Sequence, residues 1–409
     1  MPHILKTLWI IVGGIAALAT LPGSIELLML SLAAILPGRK QRSPAISAQW
    51  RVAVVIPAHN EETSIAACIN SLQSADKADM LVDICVIADN CNDSTAEIAA
   101  SAGAKVLERT SETERGKGYA LNYAFTTLAA DTYDCYLVVD ADTEVAENFI
   151  TAAAGKMRSG SAAVQVRYLV SNLEESVRTR LMGLALRAFN VVRPLGRSHL
   201  GLSAGILGNG FGLSAKTLTT VPYLASSVVE DLEYHLSLVR SGRRVDFVNE
   251  TTVYGEMPVR GKGVKTQRSR WEGGRLRMLV DKSPGLAAKV LSGEVKMLEP
   301  LLELLLLPLA FHVALLAVAL SAPQQIVRGI AAAGFGIVLL HLSAAILVGG
   351  GTWRDAATLL AAPFYILWKL MMIPALLKNA RTDNDWVRTS RNAEITSREQ
   401  PAGDIVDKG

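Results

Sequence analysis

Tyr136-Leu-Val-Val-Asp-Ala-Asp142 constrains this chain more than any other stretch. Its aromatic and β-branched run reads as a central strand of a parallel sheet, buried on both faces. Such a strand cannot hold two anions inside a core. Asp140 and Asp142 therefore belong where the strand emerges at its carboxyl edge, the side on which open α/β sheets bind ligands. Two carboxylates this close repel each other unless a cation lies between them, and hard oxygen donors suit Mg2+ or Mn2+. A solvated acidic turn after a strand would carry the same triplet.

The neighbouring segments follow the same pattern. Arg51 to Ile56 reads as a strand that stops at Pro57-Ala-His-Asn-Glu-Glu62, with a helix over 63–73. Val82 to Ala88 reads as a second strand, ending at Asp89-Asn-Cys-Asn-Asp-Ser94, where Ser94 is placed to cap a helix. Lys105 to Leu107 is a short third strand, and the charged loop from Glu112 closes on Gly116-Lys117-Gly118 before a helix from Tyr119 to Leu128. Strand alternating with helix predicts a doubly wound α/β sheet with its loops gathered at one edge.

Beyond Asp142, Ala162 to Leu169 is strand-like, and Gly201 to Gly212 reads as a glycine-rich loop beneath an acceptor. Ser176 to Phe189 alternates apolar residues with arginines and is followed by Val191 to Leu195, which suits either a membrane interface or an ordinary surface helix. Val228-Val-Glu-Asp231 opens a helix that continues through His235 to Val239. Glu230 and Asp231 then fall in its first turn, where carboxylates also favour the macrodipole. Gln267-Arg-Ser-Arg270-Trp271 offers an amide, a cation and a flat aromatic near one helical face, as does a surface helix with one buried Trp.

Apolar segments flank this α/β region. The chain is 50% hydrophobic with a mean hydropathy of +0.28, which a soluble enzyme seldom shows. Leu8 to Leu36 predicts one long, tilted or kinked membrane helix, and the Arg39-Lys40-Gln-Arg42 cluster after it places the following chain in the cytoplasm. Leu301 to Ser321 and Ile326 to Val348 are each long enough to span. If Ala356 to Leu377 also spanned, the basic tail carrying Lys378, Arg381, Arg388 and Arg391 would lie outside. That segment is therefore expected along the interface, with Lys369 snorkelling to the headgroups.

The expected division is an N-terminal membrane segment over 1–42, a catalytic domain over 50–275, an interfacial segment over 276–300, membrane or interfacial helices over 301–377 and a cytoplasmic tail over 378–409 with a mobile end. A net charge of +3 without a basic stripe interleaved with aromatics gives no support for a nucleic-acid partner. The four cysteines, Cys68, Cys85, Cys91 and Cys135, lack C-x-x-C spacing and read as free thiols.

In order and spacing, Pro57-Ala-His-Asn-Glu-Glu62, Asp89, Gly116-Lys-Gly118, Asp140-Ala-Asp142, Glu230-Asp231 and Gln267-Arg-Ser-Arg270-Trp271 resemble the membrane-bound members of glycosyltransferase family 2, the group of cellulose, hyaluronan and chitin-oligosaccharide synthases. The resemblance covers about residues 50 to 275. It implies a GT-A-type domain in the cytoplasm of a multi-pass inner-membrane enzyme, and a metal-dependent, inverting transfer from a UDP-sugar to a lipid-linked or oligosaccharide acceptor in exopolysaccharide or envelope-glycan synthesis. Pro57, Asn60, Glu61, Glu62 and Asp89 would hold the uridine, with Lys117 and Gln267 also at the donor site. Asp142 would bind Mg2+ or Mn2+ directly, with Asp140 facing the donor. Asp231 would be the general base beside Glu230, Arg270 would face the diphosphate, and Trp271 the acceptor sugar.

Membrane lipids are implied as surroundings, and an export partner protein is left open. Val229 stands where the synthases commonly have Thr or Ser, and there are fewer spans than a secretion channel needs. A ceramide-type or other lipid glucosyltransferase fits the same acidic series, and a catalytically silent sugar-nucleotide-binding subunit is the remaining reading.

Overall fold

The computed structural model describes residues 2–37, 49–225, 227, 229–257 and 262–375, with side chains left out at 2 and 262–271. The basic cluster at 39–42, Val228 and the tail from 376 onward lie outside the described residues, as do the side chains of Gln267, Arg270 and Trp271.

One mixed sheet of eight strands carries the polar region: β1 (Arg51–Ala58), β2 (Leu81–Asp89), β3 (Lys105–Arg109), β4 (Cys135–Val138), β5 (Thr143–Val145), β6 (Ala163–Val170), β7 (Phe211–Ser214) and β8 (Val245–Gly255). The order is β3-β2-β1-β4-β7-β6-β8-β5. The first four are parallel, as the alternating pattern predicts. β7 then runs antiparallel to both β4 and β6, and β5 antiparallel to β8, so the doubly wound expectation holds for one half only. β7 begins at the end of the segment read as a glycine-rich loop and runs two residues past it. Gly212 explains the misreading: a Cβ there would sit 2.7 Å from Leu137 and 2.9 Å from Met157, so this buried position takes glycine and hides the strand signal.

Helices α2 (Ile65–Ser74), α3 (Thr95–Ser101), α4 (Lys117–Leu128) and α5 (Phe149–Arg158) follow their strands. Along β1, Val52, Val54 and Ile56 pack on one face with Ile69 and Phe149, while Ala53 and Val55 pack on the other with Leu121 and Phe125. Burial on both faces is why this strand reads as an unbroken apolar run. Ser94 sits at the start of α3 but its side chain makes no capping bond. The four cysteines are free thiols.

The segment from 177 to 199 is α6 (Val177–Arg187), a π-helical turn (Ala188–Val192) and α7 (Arg193–His199). It is neither a surface helix nor a lipid-facing one. Leu184, Val191, Val192 and Leu195 pack with Ala34, Ala344 and Ala345, so it forms a shelf between the sheet and the apolar helices. Backbone meets backbone there: a Cβ on Gly196 would lie 2.3 Å from the Leu30 carbonyl oxygen. Two of its arginines are buried in ion pairs, Arg187 with Asp355 at 2.8 Å and Arg197 with Glu26 at 2.7 Å.

After α8 (Ala215–Thr220) and α9 (Glu230–Arg240), α10 (Lys262–Leu291) runs through residue 275, so the division expected there falls inside one helix. By length and composition, α1 (Pro2–Ile35) contains one candidate span, over His3–Ile35, and α13 (Gln325–Leu347) is a second. The span expected over Leu301 to Ser321 is broken. α11 (Leu298–Leu305) and α12 (Leu309–Leu320) meet at a 79° bend. Pro308 supplies no N–H and disfavours helical geometry in the residue before it, which ends α11. Residues 353–371 form α14 (Trp353–Ala357), a 3-10 turn and α15 (Ala362–Met371), whose 10 residues are too few for a span.

Candidate active site

Four loops at one sheet edge converge on the turn after β4. Thr143 N–H bonds the Asp140 carbonyl at 3.1 Å, which closes the Asp140-Ala-Asp142 turn and leaves both carboxylates lining a cavity of about 1110 Å³. Lys117 opens α4 after Gly116, whose φ of +126° is a conformation few other residues adopt. Its ammonium bonds the Asp140 carboxylate and the Gly208 carbonyl, the latter at 2.5 Å. Burial opposes that charge, but Asp140 and Glu230 more than offset it and hold the Lys117 pKa above the ordinary lysine value.

Glu230 and Asp231 enter from the first turn of α9. Leu232 N–H bonds Asp231 Oδ1 at 2.8 Å, and Asp231 Oδ2 lies so close to Gly208 that a Cβ there would meet it at 3.3 Å. Burial raises both carboxyl pKa values. For Glu230, burial and the neighbouring Asp231 outweigh Lys117 and carry it to about 7. For Asp231, burial outweighs the Leu232 hydrogen bond.

No sequence pattern marks the brace under this turn. Asn209 accepts from Asp140 N–H at 3.1 Å and donates to Thr143 Oγ1 at 2.8 Å, so one buried amide spans the acidic turn. Gln165, fully buried on β6, donates to the Asn209 carbonyl at 2.7 Å and accepts from Leu207 N–H at 2.9 Å. Replacing Gln165 by Leu should cost ~1–3 kcal/mol for each buried backbone group left unpaired. It should lower both the thermal midpoint in detergent and transferase turnover. An unchanged midpoint would remove the brace from the account.

The first-strand loop is placed beside the second. His59 Nδ1 lies 2.7 Å from the Asp89 carbonyl, and Asn60, with φ of +55°, accepts from Asn92 N–H at 2.7 Å. Glu61 N–H donates to Thr95 Oγ1 at 2.8 Å, and Glu62 accepts from Ser94 N–H at 3.2 Å. Pro57, His59 and Glu61 line the cavity, whereas Asn60, Glu62 and Asp89 do not. Asp89 is buried and bonded by Arg109 at 2.7 Å, while its Oδ2 has no partner among the described residues. Sequence reasoning missed Arg109, although it ends β3 beside the polar strand end of β2.

Asp140 and Asp142 are hard oxygen donors on one turn and fit Mg2+ or Mn2+. No group of three or more His, Cys, Asp or Glu side chains suited to a metal occurs among the described residues, so a diphosphate would have to supply further oxygens. The cavity continues past Asp231 along Phe189, Arg193 and Arg275 to Leu306, Leu309 and Tyr365 among the apolar helices.

The glycosyl transferase family 2 model matches residues 53–206, and the glycosyl transferase family group 2 model matches residues 136–379. The probable glycosyltransferase YdaM of Bacillus subtilis is 24% identical over 232 residues, 55% of each chain. The beta-monoglucosyldiacylglycerol synthase of Trichormus variabilis is 26% identical over 236 residues, 56% of this chain and 50% of its own. The chain thus spans about half the length of these curated relatives. Among solved structures, the mannosyltransferase PcManGT from Pyrobaculum calidifontis, in complex with GDP-Man and Mn2+, superposes with a TM-score of 0.52 at 17% identity, covering 88% of this chain and 99% of that one.

Proposed function

This chain belongs to glycosyl transferase family 2 and has the GT-A fold, and from that premise we propose that it moves a sugar from a UDP-sugar, with inversion, onto a membrane-anchored acceptor at the cytoplasmic face of the inner membrane. The observation that carries this reading is the cavity itself, which joins Asp140, Asp142 and Asp231 to the apolar helices. A sugar-nucleotide site with an apolar extension suits a hydroxyl presented by a lipid or lipid-linked glycan, in exopolysaccharide or envelope-glycan synthesis. One relative is named as the synthase of a glucosyldiacylglycerol, which favours the lipid branch of the same reading.

In this reading the Pro57 loop and the buried, unpartnered oxygen of Asp89 receive the uridine, and Lys117 and Asp140 face the ribose and diphosphate. Asp142, with Asp140, would hold Mg2+ or Mn2+, which supplies positive charge against the diphosphate oxygens when bound. The solved mannosyltransferase described with GDP-Man and Mn2+ is in keeping with a metal at that turn. Arg270 and Gln267 would add donors at the diphosphate, and Trp271 an apolar face for the acceptor sugar.

Asp231 takes the acceptor proton from the side opposite the leaving group, so the anomeric carbon inverts. Glu230 holds negative charge beside it and keeps the proton affinity of the pair high. The division into a membrane segment over 1–42, a catalytic domain over 50–275 and membrane or interfacial helices after it is part of the same proposal.

Because burial raises both carboxyls, the base should stay protonated and idle at pH values where an ordinary aspartate is already ionised. Transfer should rise as pH increases through that raised range, and Glu230→Gln should move that limb to lower pH by removing a like charge. A pH profile of kcat/KM for both forms checks this. The whole reading is tested by the mass of the product made by purified protein in lipid with a panel of UDP-sugars. A product without a lipid anchor would overturn the acceptor assignment.

A further inference from the structure

The apolar end of the cavity is entered through a ring of cations. Arg193, Arg197, Arg275 and Lys369 all line it, beside Phe189 and the Leu306 to Ala310 turn. Taken alone they suggest a phosphate site, the headgroup signature of a polyprenyl phosphate acceptor.

Each cation is already matched by a carboxylate. Arg193 pairs with Glu303 at 3.1 Å and with Glu26 at 3.5 Å. Arg197 pairs with Glu26 at 2.7 Å and with Glu303, and its Nε lies 2.6 Å from Glu299 Oε1 without hydrogen-bond alignment. Arg275 lies 3.7 Å from Glu303 and donates to its backbone carbonyl, and Lys369 pairs with Glu272. Three arginines thus meet Glu26, Glu299 and Glu303, and one lysine meets Glu272. Glu303 and Glu26 are as buried as the arginines they face. A phosphate brought here would have to displace a carboxylate that has no water to receive it.

The ring also supports an uncharged surface. Phe189 lies in the π-helical turn, with the Arg193 guanidinium 4.5 Å and the Arg275 guanidinium 5.7 Å from its ring centre. π turns interrupt helices most often at functional positions, and this one presents an aromatic to the cavity between donor site and apolar wall.

We propose that the acceptor is an uncharged lipid alcohol rather than a lipid phosphate, and that its head passes over Phe189 on the way to Asp231. This rests on the reading of the cavity as the acceptor route. In the transfer, the acceptor O–H gives its proton to Asp231, the new bond forms between that oxygen and the anomeric carbon, and the bond from that carbon to the diphosphate breaks with its electron pair leaving on UDP. The product is a neutral glycoside.

The test uses the full chain purified into neutral-lipid nanodiscs with Mn2+ and radiolabelled UDP-sugars, with diacylglycerol and undecaprenyl phosphate as competing acceptors at equal concentration. The expected result is at least tenfold faster labelling of diacylglycerol, giving a chloroform-soluble product stable to mild acid. Phe189→Ala should raise the KM for diacylglycerol about tenfold while the KM for the UDP-sugar stays within twofold. A structural role alone would lower kcat without that split.

Preferential labelling of undecaprenyl phosphate, with its acid-labile glycosyl phosphate, overturns the inference and leaves the membrane-acceptor reading standing. Label recovered only in a water-soluble glycan overturns both. Transfer to neither lipid overturns the inference.

Discussion

Asp231→Asn is expected to cut sugar transfer by ~10²–10⁴-fold, the range of general-base catalysis, while UDP binding stays within a few fold of the parent. Asparagine keeps the shape and can still accept the Leu232 N–H at 2.8 Å, so the first turn of α9 has no reason to move. It also relieves the like-charge pressure on Glu230, which lies beside it in the first turn of α9. What it loses is a proton acceptor. Parallel titrations of UDP binding and initial rates of transfer separate the two effects. A variant that turned over at the parental rate would falsify the base assignment and move attention to Glu230.

Asp142→Asn is the second large effect. It should lower kcat by ~10²–10³-fold, as loss of one preorganised charge stabiliser does, and should abolish the dependence of UDP affinity on Mn2+. Asp140→Asn should behave differently, because Asp140 also neutralises Lys117. Removing that charge takes away the carboxylate bonded to the buried ammonium, so the thermal midpoint should fall together with donor affinity. Calorimetric titration of UDP with and without Mn2+, alongside melting curves for both variants, distinguishes a metal ligand from a structural partner. Equal behaviour of the two would undo the division of roles.

The acidic turn, Lys117 and Asp231 were legible in sequence because each breaks a regular pattern. Asp140 ends a β-branched run, Lys117 sits between two glycines, and Asp231 opens a helix. Asn209 and Gln165 were not legible, since a lone amide in a glycine loop or a strand signals nothing until the strands are paired. The order of β4, β7 and β6 depends on contacts between residues dozens of positions apart, and Gly212 removes the side-chain alternation that would have marked β7.

The burial of Arg187, Arg193 and Arg197 was not legible for the same reason. Their partners lie far away in sequence, yet a signal was present: Glu26 and Glu303 each interrupt an apolar segment, and a carboxylate there calls for a cation. The bend between α11 and α12 was written in Pro308, which hydropathy averaging passes over.

The π-helical turn sets the phase of everything after it. A π turn holds one residue more than the α-helical turn it replaces, and each residue rotates a helix by about 100°. Were Ala188–Val192 to wind as a regular α-helix with no residue removed, Arg193 and Arg197 would swing about a quarter-turn away from Glu26 and Glu303. The same rotation would carry Gly196 off the Leu30 backbone and bring in a side chain for which that contact has no room. The wide turn thus absorbs one residue and keeps the sheet and the apolar helices in register.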